Sequence, residues 1–190
     1  MNVQLRNFLV LFLLALPAAL ARADEYSDTI NVFRKAGESS QFFGRSYGYA
    51  VLPTIGKGGI GIGGAYGTGR VYARGAYVGD TSMAQVTIGF QLGGQAYSQI
   101  IFFEDKRAFD EFTGGNFEFG AQATAVAITA GAGAQAGTSG ASASAGSSQQ
   151  SSTTKSANYY KGMAVFTVAK GGLMYEASIG GQKFSYNRKK

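Results

Sequence analysis

No cysteine and no histidine occur anywhere in the 190 residues, and the two absences together remove most covalent chemistry. Without cysteine there is neither a disulfide framework nor a thiolate metal site, so stability must come from packing alone. Without histidine the usual general base is missing, together with the commonest metal ligand. Carboxylates are the remaining catalytic option. Asp105, Asp110 and Glu111 gather on one predicted helix, Asp28 sits on another, and Glu104, Glu118 and Glu176 stand singly. No pair of them is set for glycosidase-type work, and no stretch carries acids at alternate positions as a calcium loop requires. The chain therefore reads as a binder and not an enzyme, with no catalytic residue, no metal site and no cofactor.

Long apolar runs are also scarce. Phe8 to Leu16 is unbroken, but it is shorter than the roughly 20 residues that span a bilayer, and no second run of that length follows. With Arg6 before it and Ala21-Arg22-Ala23 after it, the run fits a cleavable signal peptide over residues 1–23. Export to a bacterial periplasm or secretion is the expectation. Residues 24–190 are then enough for one domain with a real core and too few for two. Losing Arg6 and Arg22 lowers the net charge from +6 to roughly +4. That mild basic excess suits an anionic surface but falls far short of a nucleic-acid binder.

What is present is period-two alternation, clearest where Val86, Ile88, Phe90 and Leu92 face Thr87, Gly89, Gln91 and Gly93. Further strands are predicted over 47–52, 60–66, 71–78, 97–103, 117–128, 163–168, 173–179 and 182–186, joined by short Gly-rich turns that favour antiparallel pairing. The second face of many strands is Gly, Ala or Ser. Glycine permits close backbone approach and sharp coiling, so the expected architecture is mainly β: a strongly curved antiparallel sheet or small β-barrel with two or three short helices. One helix is predicted from Ser27, as its N-cap, to Ala36, with Gly37 as stop. A second starts at Asp105, carries Ala108, Phe109 and Phe112, and ends at Gly114-Gly115. A further turn around Ser40 to Gly44 is weakly marked. Phe33, Phe42, Phe43, Phe109 and Phe112 lie where helices should close over the sheet, which makes them core residues. The first helix, with Arg34 and Lys35 beside Phe33, has an interfacial reading as well.

From Thr129 to Thr154 only Ala, Gly, Ser, Thr and Gln occur, a composition unable to offset the entropy of ordering it. Residues 129–157 are read as a flexible insertion within the one domain, because strand-like sequence resumes at Met163. The chain also echoes itself. Gly48-Tyr-Ala-Val-Leu-Pro-Thr-Ile-Gly-Lys-Gly-Gly59 recurs as Gly162-Met-Ala-Val-Phe-Thr-Val-Ala-Lys-Gly-Gly172, and Leu92-Gly-Gly-Gln-Ala-Tyr-Ser98 as Ile179-Gly-Gly-Gln-Lys-Phe-Ser185. Two related hairpins follow, with Lys57 and Lys170 expected on one rim. Gly56-x-Gly58-x-x-Gly61 and Gly59-x-Gly61-x-x-Gly64 match a dinucleotide pattern, but a strand and not a helix follows them, so they are structural glycines.

The residues suited to a lipid headgroup or other anion are Lys57 and Lys170 at glycine-flanked turns, Lys183 in the second hairpin, and Arg70, Tyr72 and Arg74 on one strand face. Cations interleaved with tyrosine fit the interfacial zone of a membrane. A solvated strand face is the plainer reading of Arg70 and Arg74.

In order and spacing, several segments resemble the SYLF family. They are Tyr49-Ala-Val-Leu-Pro-Thr-Ile-Gly-Lys-Gly-Gly-Ile-Gly-Ile-Gly-Gly-Ala-Tyr-Gly67, Ala84-Gln-Val-Thr-Ile-Gly-Phe-Gln-Leu-Gly-Gly-Gln-Ala-Tyr-Ser98, Ile100-Ile-Phe-Phe103, Phe109-Asp-Glu-Phe112 and Phe117-Glu-Phe-Gly-Ala121. The likeness runs from about Val32 to Tyr186, outside the insertion, and is greatest to the small exported bacterial members. It implies binding of phosphoinositides or other anionic membrane lipids. The actin bundling of yeast relatives should not carry over to a periplasmic protein. A structural or protein-interaction role in the cell envelope, with an envelope protein as partner, is the alternative.

Overall fold

A computed structural model of the chain describes residues 25–89, 95–121, 123–128, 158–170 and 178–190, with the backbone alone at 60, 61 and 87–89. The signal-peptide reading, the insertion and all but the end of the 173–179 strand lie outside the described residues. Four helices and seven strands follow in chain order: α1 (25–35), α2 (Gly37–Ser40), α3 (Phe42–Arg45), β1 (Gly48–Ala73), β2 (Ala76–Gly89), β3 (Gln95–Phe103), α4 (Lys106–Thr113), β4 (Phe117–Glu118), β5 (Val126–Ile128), β6 (Met163–Lys170) and β7 (Lys183–Arg188). The strands form one sheet in the order β4-β7-β2-β1-β3-β6-β5, which curls into a half-barrel. The expectation of a mainly β, strongly curved sheet with a few short helices is met.

β1 is the organising element, because it serves two partners with two arms. Gly48 to Lys57 pairs antiparallel with β3, and Gly61 to Ala73 pairs antiparallel with β2. The arms fold back on each other: the Arg74 amide donates to the Tyr47 carbonyl, and the backbone of Gly69 lies against Val51 while Gly67 lies against Thr54. Counted as arms, the sheet has eight strands. In the first arm Pro53 and Thr54 together oppose Ser98. This bulge is where a proline, lacking an amide proton, is tolerated, and the Ser98 hydroxyl bonds the Pro53 carbonyl at 2.7 Å.

Two cores sit on the two faces. Inside the curl, Leu52, Ile55, Met83, Ile101, Phe103, Val165 and Phe184 meet Phe112 of α4. On the outer face, Val51, Ile100, Phe102 and Phe166 are covered by Phe33 of α1 and Phe42 of α3. Every residue of β3 from Tyr97 to Phe103 is buried, as befits a strand covered on both sides. The phenylalanines assigned to the core are in it: Phe33, Phe42 and Phe112 are at most 1% exposed, and Phe43 and Phe109 pack against the two clusters.

Several boundaries differ from expectation. The 71–78 strand is broken by a turn at Arg74-Gly75, where both residues have positive φ (50° and 81°), the twist that suits a tight hairpin. The 117–128 strand becomes two short pieces, and β5 runs parallel to β6, the one parallel pair among the described strands. Helix α1 already includes Ser27, so that residue is no cap. Gly37 opens α2 and does not end a helix; the break falls at Ala36, whose ψ of 126° is extended. The second helix is as expected, with the Asp105 carboxylate accepting the Ala108 amide at 2.8 Å and Gly115 at φ 117° just beyond it.

Candidate functional site

β3 places the two rim lysines. Lys57 lies across from Gln95 on one side of β3, and Lys170 lies across from Ala96 on the other. Both are therefore at one end of the sheet, as the internal echo suggested. Adjacent residues of a strand point to opposite faces, so Lys57 lies on the inner face and Lys170 on the outer one. The Lys170 ammonium donates to Thr54 Oγ1 at 2.6 Å and to Glu25 Oε1 at 3.2 Å, while Thr54 Oγ1 donates to the same carboxylate. This three-member latch ties the start of α1 to the rim.

The strand residues divide. Arg74 leaves the strand for the turn, where its guanidinium stacks on Tyr47 at 5.2 Å, so it does not share a face with Arg70 and Tyr72. Lys183, exposed on β7 between β2 and β4, pairs with Glu118 at 3.6 Å, a contact worth at most about 1 kcal/mol. Arg70 and Tyr72 belong to a band of cations and tyrosines on the outer face. The Arg70 guanidinium lies 4.3 Å from the ring of Tyr26 on α1 and 5.1 Å from that of Tyr77, and Asp80 is its cross-strand partner. Tyr72 stacks on Tyr49 with centroids 5.0 Å apart and tilts against Tyr77. Lys189 sits over Tyr77, and Arg34 over Phe43, which in turn meets Tyr49 edge-on.

Three tyrosines of this band, Tyr26, Tyr49 and Tyr77, were missed in sequence. They come from α1 and from strand positions outside the basic stretch, and only folding gathers them. The phenols are held neutral. Burial, then the hydrogen bond to Asp80 and its charge, pushes Tyr77 up to about 12, with Arg70 opposing. Burial likewise raises Tyr49, helped by Tyr72, and raises Tyr26 against the pull of Arg70.

A group whose folded pKa exceeds its unfolded one contributes stability that is whole below the unfolded pKa and lost as pH rises through the folded one. For Tyr77 that window runs from 10.0 to about 12. Denaturant midpoints should therefore fall through this range, and Tyr77→Phe should fall less steeply over it. Equal slopes in the two proteins would show that Tyr77 ionises as freely folded as unfolded.

Among the described residues the buried polar side chains are all uncharged. Gln99 and Gln182 exchange amide hydrogen bonds at 2.9 and 3.2 Å, and Gln182 also donates to the Tyr97 hydroxyl. Among the described residues no group of three or more acidic, histidine or cysteine side chains is placed to hold a metal, and no helix is long and apolar enough to cross a membrane.

A half-barrel with a helix-covered outer face and a surface band of cations and tyrosines defines a β-rich, curled-sheet domain. A family model described as Las17-binding protein actin regulator, the Ysc84 or SYLF domain, matches residues 84–190. The chain belongs to that family. It is also similar to Beta cell expansion factor A of Aeromonas veronii, at 27% identity over 159 residues, which cover 82% of this chain and 51% of that protein. The chain thus spans about half the length of this relative. Family membership is consistent with lipid binding or with actin regulation.

Proposed function

We propose that the domain binds anionic phospholipid headgroups without catalysis, as an exported protein acting at the cell envelope. The observation that carries this reading is the outer-face band, in which Arg70 lies between the rings of Tyr26 and Tyr77. Rings with an apolar body and a polar tip settle at the headgroup level, and a cation beside them gains about 1 kcal/mol from a negatively charged surface. Lys57, on the rim, would add to the attraction. Lys170 contributes chiefly through its latch to α1.

The test is co-sedimentation with phosphatidylglycerol-containing vesicles against pure phosphatidylcholine. Binding should be confined to the anionic vesicles and weaken as salt screens the charges. Arg70→Gln should weaken it about fivefold, the equivalent of 1 kcal/mol. A protein that ignores both vesicle types while capturing an envelope protein or actin filaments would replace this reading with a protein-interaction role.

A further inference from the structure

Among the described residues five large apolar side chains are exposed, and three of them, Ile62, Tyr66 and Val86, share one face of the arm formed by β1 and β2. Register puts them together. Val86 lies across from Gly64, between Ile62 and Tyr66, and Tyr66 lies across from Ala84, which in turn faces Lys183 of β7. Ile62 and Val86 are 75% and 77% exposed, more than a chance surface residue of their type needs to be. They are on the outer face, beyond the part that α1 and α3 cover.

Polarity changes in order along this face. Behind Tyr66 comes a hydroxyl row of Thr68, Ser82 and Ser185, with the two serines bonded at 2.7 Å. Behind that lie Arg70 and Asp80, and then the tyrosine band. An apolar tip, a tyrosine, hydroxyls and then an arginine reproduce the sequence of environments from acyl chain to headgroup to water. A surface shaped for a protein partner has its apolar centre ringed by polar residues, whereas along the described part of this arm polarity rises in one direction, from Ile62 and Val86 to Arg70 and Asp80.

We infer that the β1–β2 arm lies obliquely in the bilayer interface, with Ile62 and Val86 among the acyl chains, Tyr66 at the headgroup boundary, and Arg70 against the phosphates. This rests on the anionic-lipid reading above and adds to it an apolar, salt-resistant component. Interfacial segments settle about 5–10 Å into the boundary region, and the four-residue step from Ile62 to Tyr66 spans about 13 Å, so a tilted arm fits that depth.

The experiment uses the Ile62→Asp/Val86→Asp double variant, which alters two exposed side chains, and a fluorophore placed through Ile62→Cys in a chain that has no other cysteine. The control label goes through Gln41→Cys, next to the helices that lead into the opposite end of β1. Wild type should keep measurable binding to phosphatidylglycerol vesicles at high salt. The double variant should bind ten- to a hundredfold more weakly at low salt and not at all at high salt. The label at position 62 should be quenched by lipid-borne spin labels and that at position 41 should not.

If wild type binds but the double variant binds equally well, or the position-62 label stays in water, the insertion is wrong and headgroup binding survives. If wild type binds no anionic vesicle at any salt, both fall. If the double variant loses a dimer seen by sedimentation equilibrium and the position-62 label is unquenched, the face belongs to a second copy of the chain.

Discussion

Replacing Gly69 by valine should destabilise the domain by about 3 kcal/mol, a large part of the 5–15 kcal/mol that holds a domain of this size together. A Cβ at position 69 would lie 2.6 Å from the Val51 carbonyl oxygen, 2.8 Å from Leu52 Cγ and 3.1 Å from Thr81 Cγ2. The first of these is backbone of the other arm of β1, and it can move only if the arms part. Gly67, one step along the same face, is equally confined, with the Thr54 carbonyl at 2.8 Å and Ile55 Cγ1 at 2.7 Å. Leu52 and Ile55 fill the space that side chains at these two positions would take, and they are fully buried. Gly56 is the internal control. It lies in the same strand, is exposed, and a Cβ there would meet nothing within 4 Å. Gly56→Ala should be neutral or stabilising by up to about 1 kcal/mol, and Gly69→Ala clearly destabilising. Denaturant unfolding of the three variants measures the contrast, and equal effects at positions 56 and 69 would mean that the close approach of the arms is not what the glycines serve.

The glycines were also the most informative part of the sequence, and they show where legibility stopped. Their repetition on strand faces pointed to a sharply coiled sheet, because coiling is what backbone approach without side chains permits. It did not tell Gly69 from Gly56, since that difference depends on what lies opposite. The break at Arg74-Gly75 was hidden for a related reason. A tight hairpin wants two residues with positive φ, and only Gly75 advertises one; Arg74 adopts φ 50° with its guanidinium on Tyr47. The parallel pairing of β5 with β6 carries no local turn signal, because parallel strands are joined by long connections.

The candidate site was legible to a similar depth. The echo of the Lys57 segment in the Lys170 segment correctly put both at one end of the sheet, but a one-residue difference in their register on β3 sent them to opposite faces. Arg70 and Tyr72 were identified in the band they occupy, whereas Tyr26, Tyr49 and Tyr77 reach it from other elements. Alternation showed that Val86 and Gly64 have a defined face. It could not show that the helices stop short of covering it, which is a property of how α1 to α3 sit on the sheet.

How α1 to α3 sit is decided by one aromatic side chain more than any other. Phe102 is fully buried on the outer face. Its ring lies 5.4 Å from Phe42, 4.9 Å from Phe43, 6.0 Å from Tyr49 and 5.9 Å from Phe166. It is thus the point where the α3 helix, the first arm of β1 and β6 meet. Phe102→Ala should cost about 3–5 kcal/mol, the transfer of the ring plus the cavity it leaves, since four rings set around it cannot all close inward. The loss should be uneven. Arg45 stacked on Phe42 and Tyr159 at 4.1 and 5.3 Å, together with the latch of Glu25 to Lys170 and Thr54, ties the helix layer at its margins. Amides of α1 and α3 should therefore exchange hydrogen much faster in Phe102→Ala, while those of β2 and β7, which pack on the inner core, should change only with global stability. Phe112→Ala, removing a ring of similar burial from the inner core, should give the opposite pattern. If both variants accelerate exchange uniformly, the two cores unfold as one unit and the sheet does not insulate them.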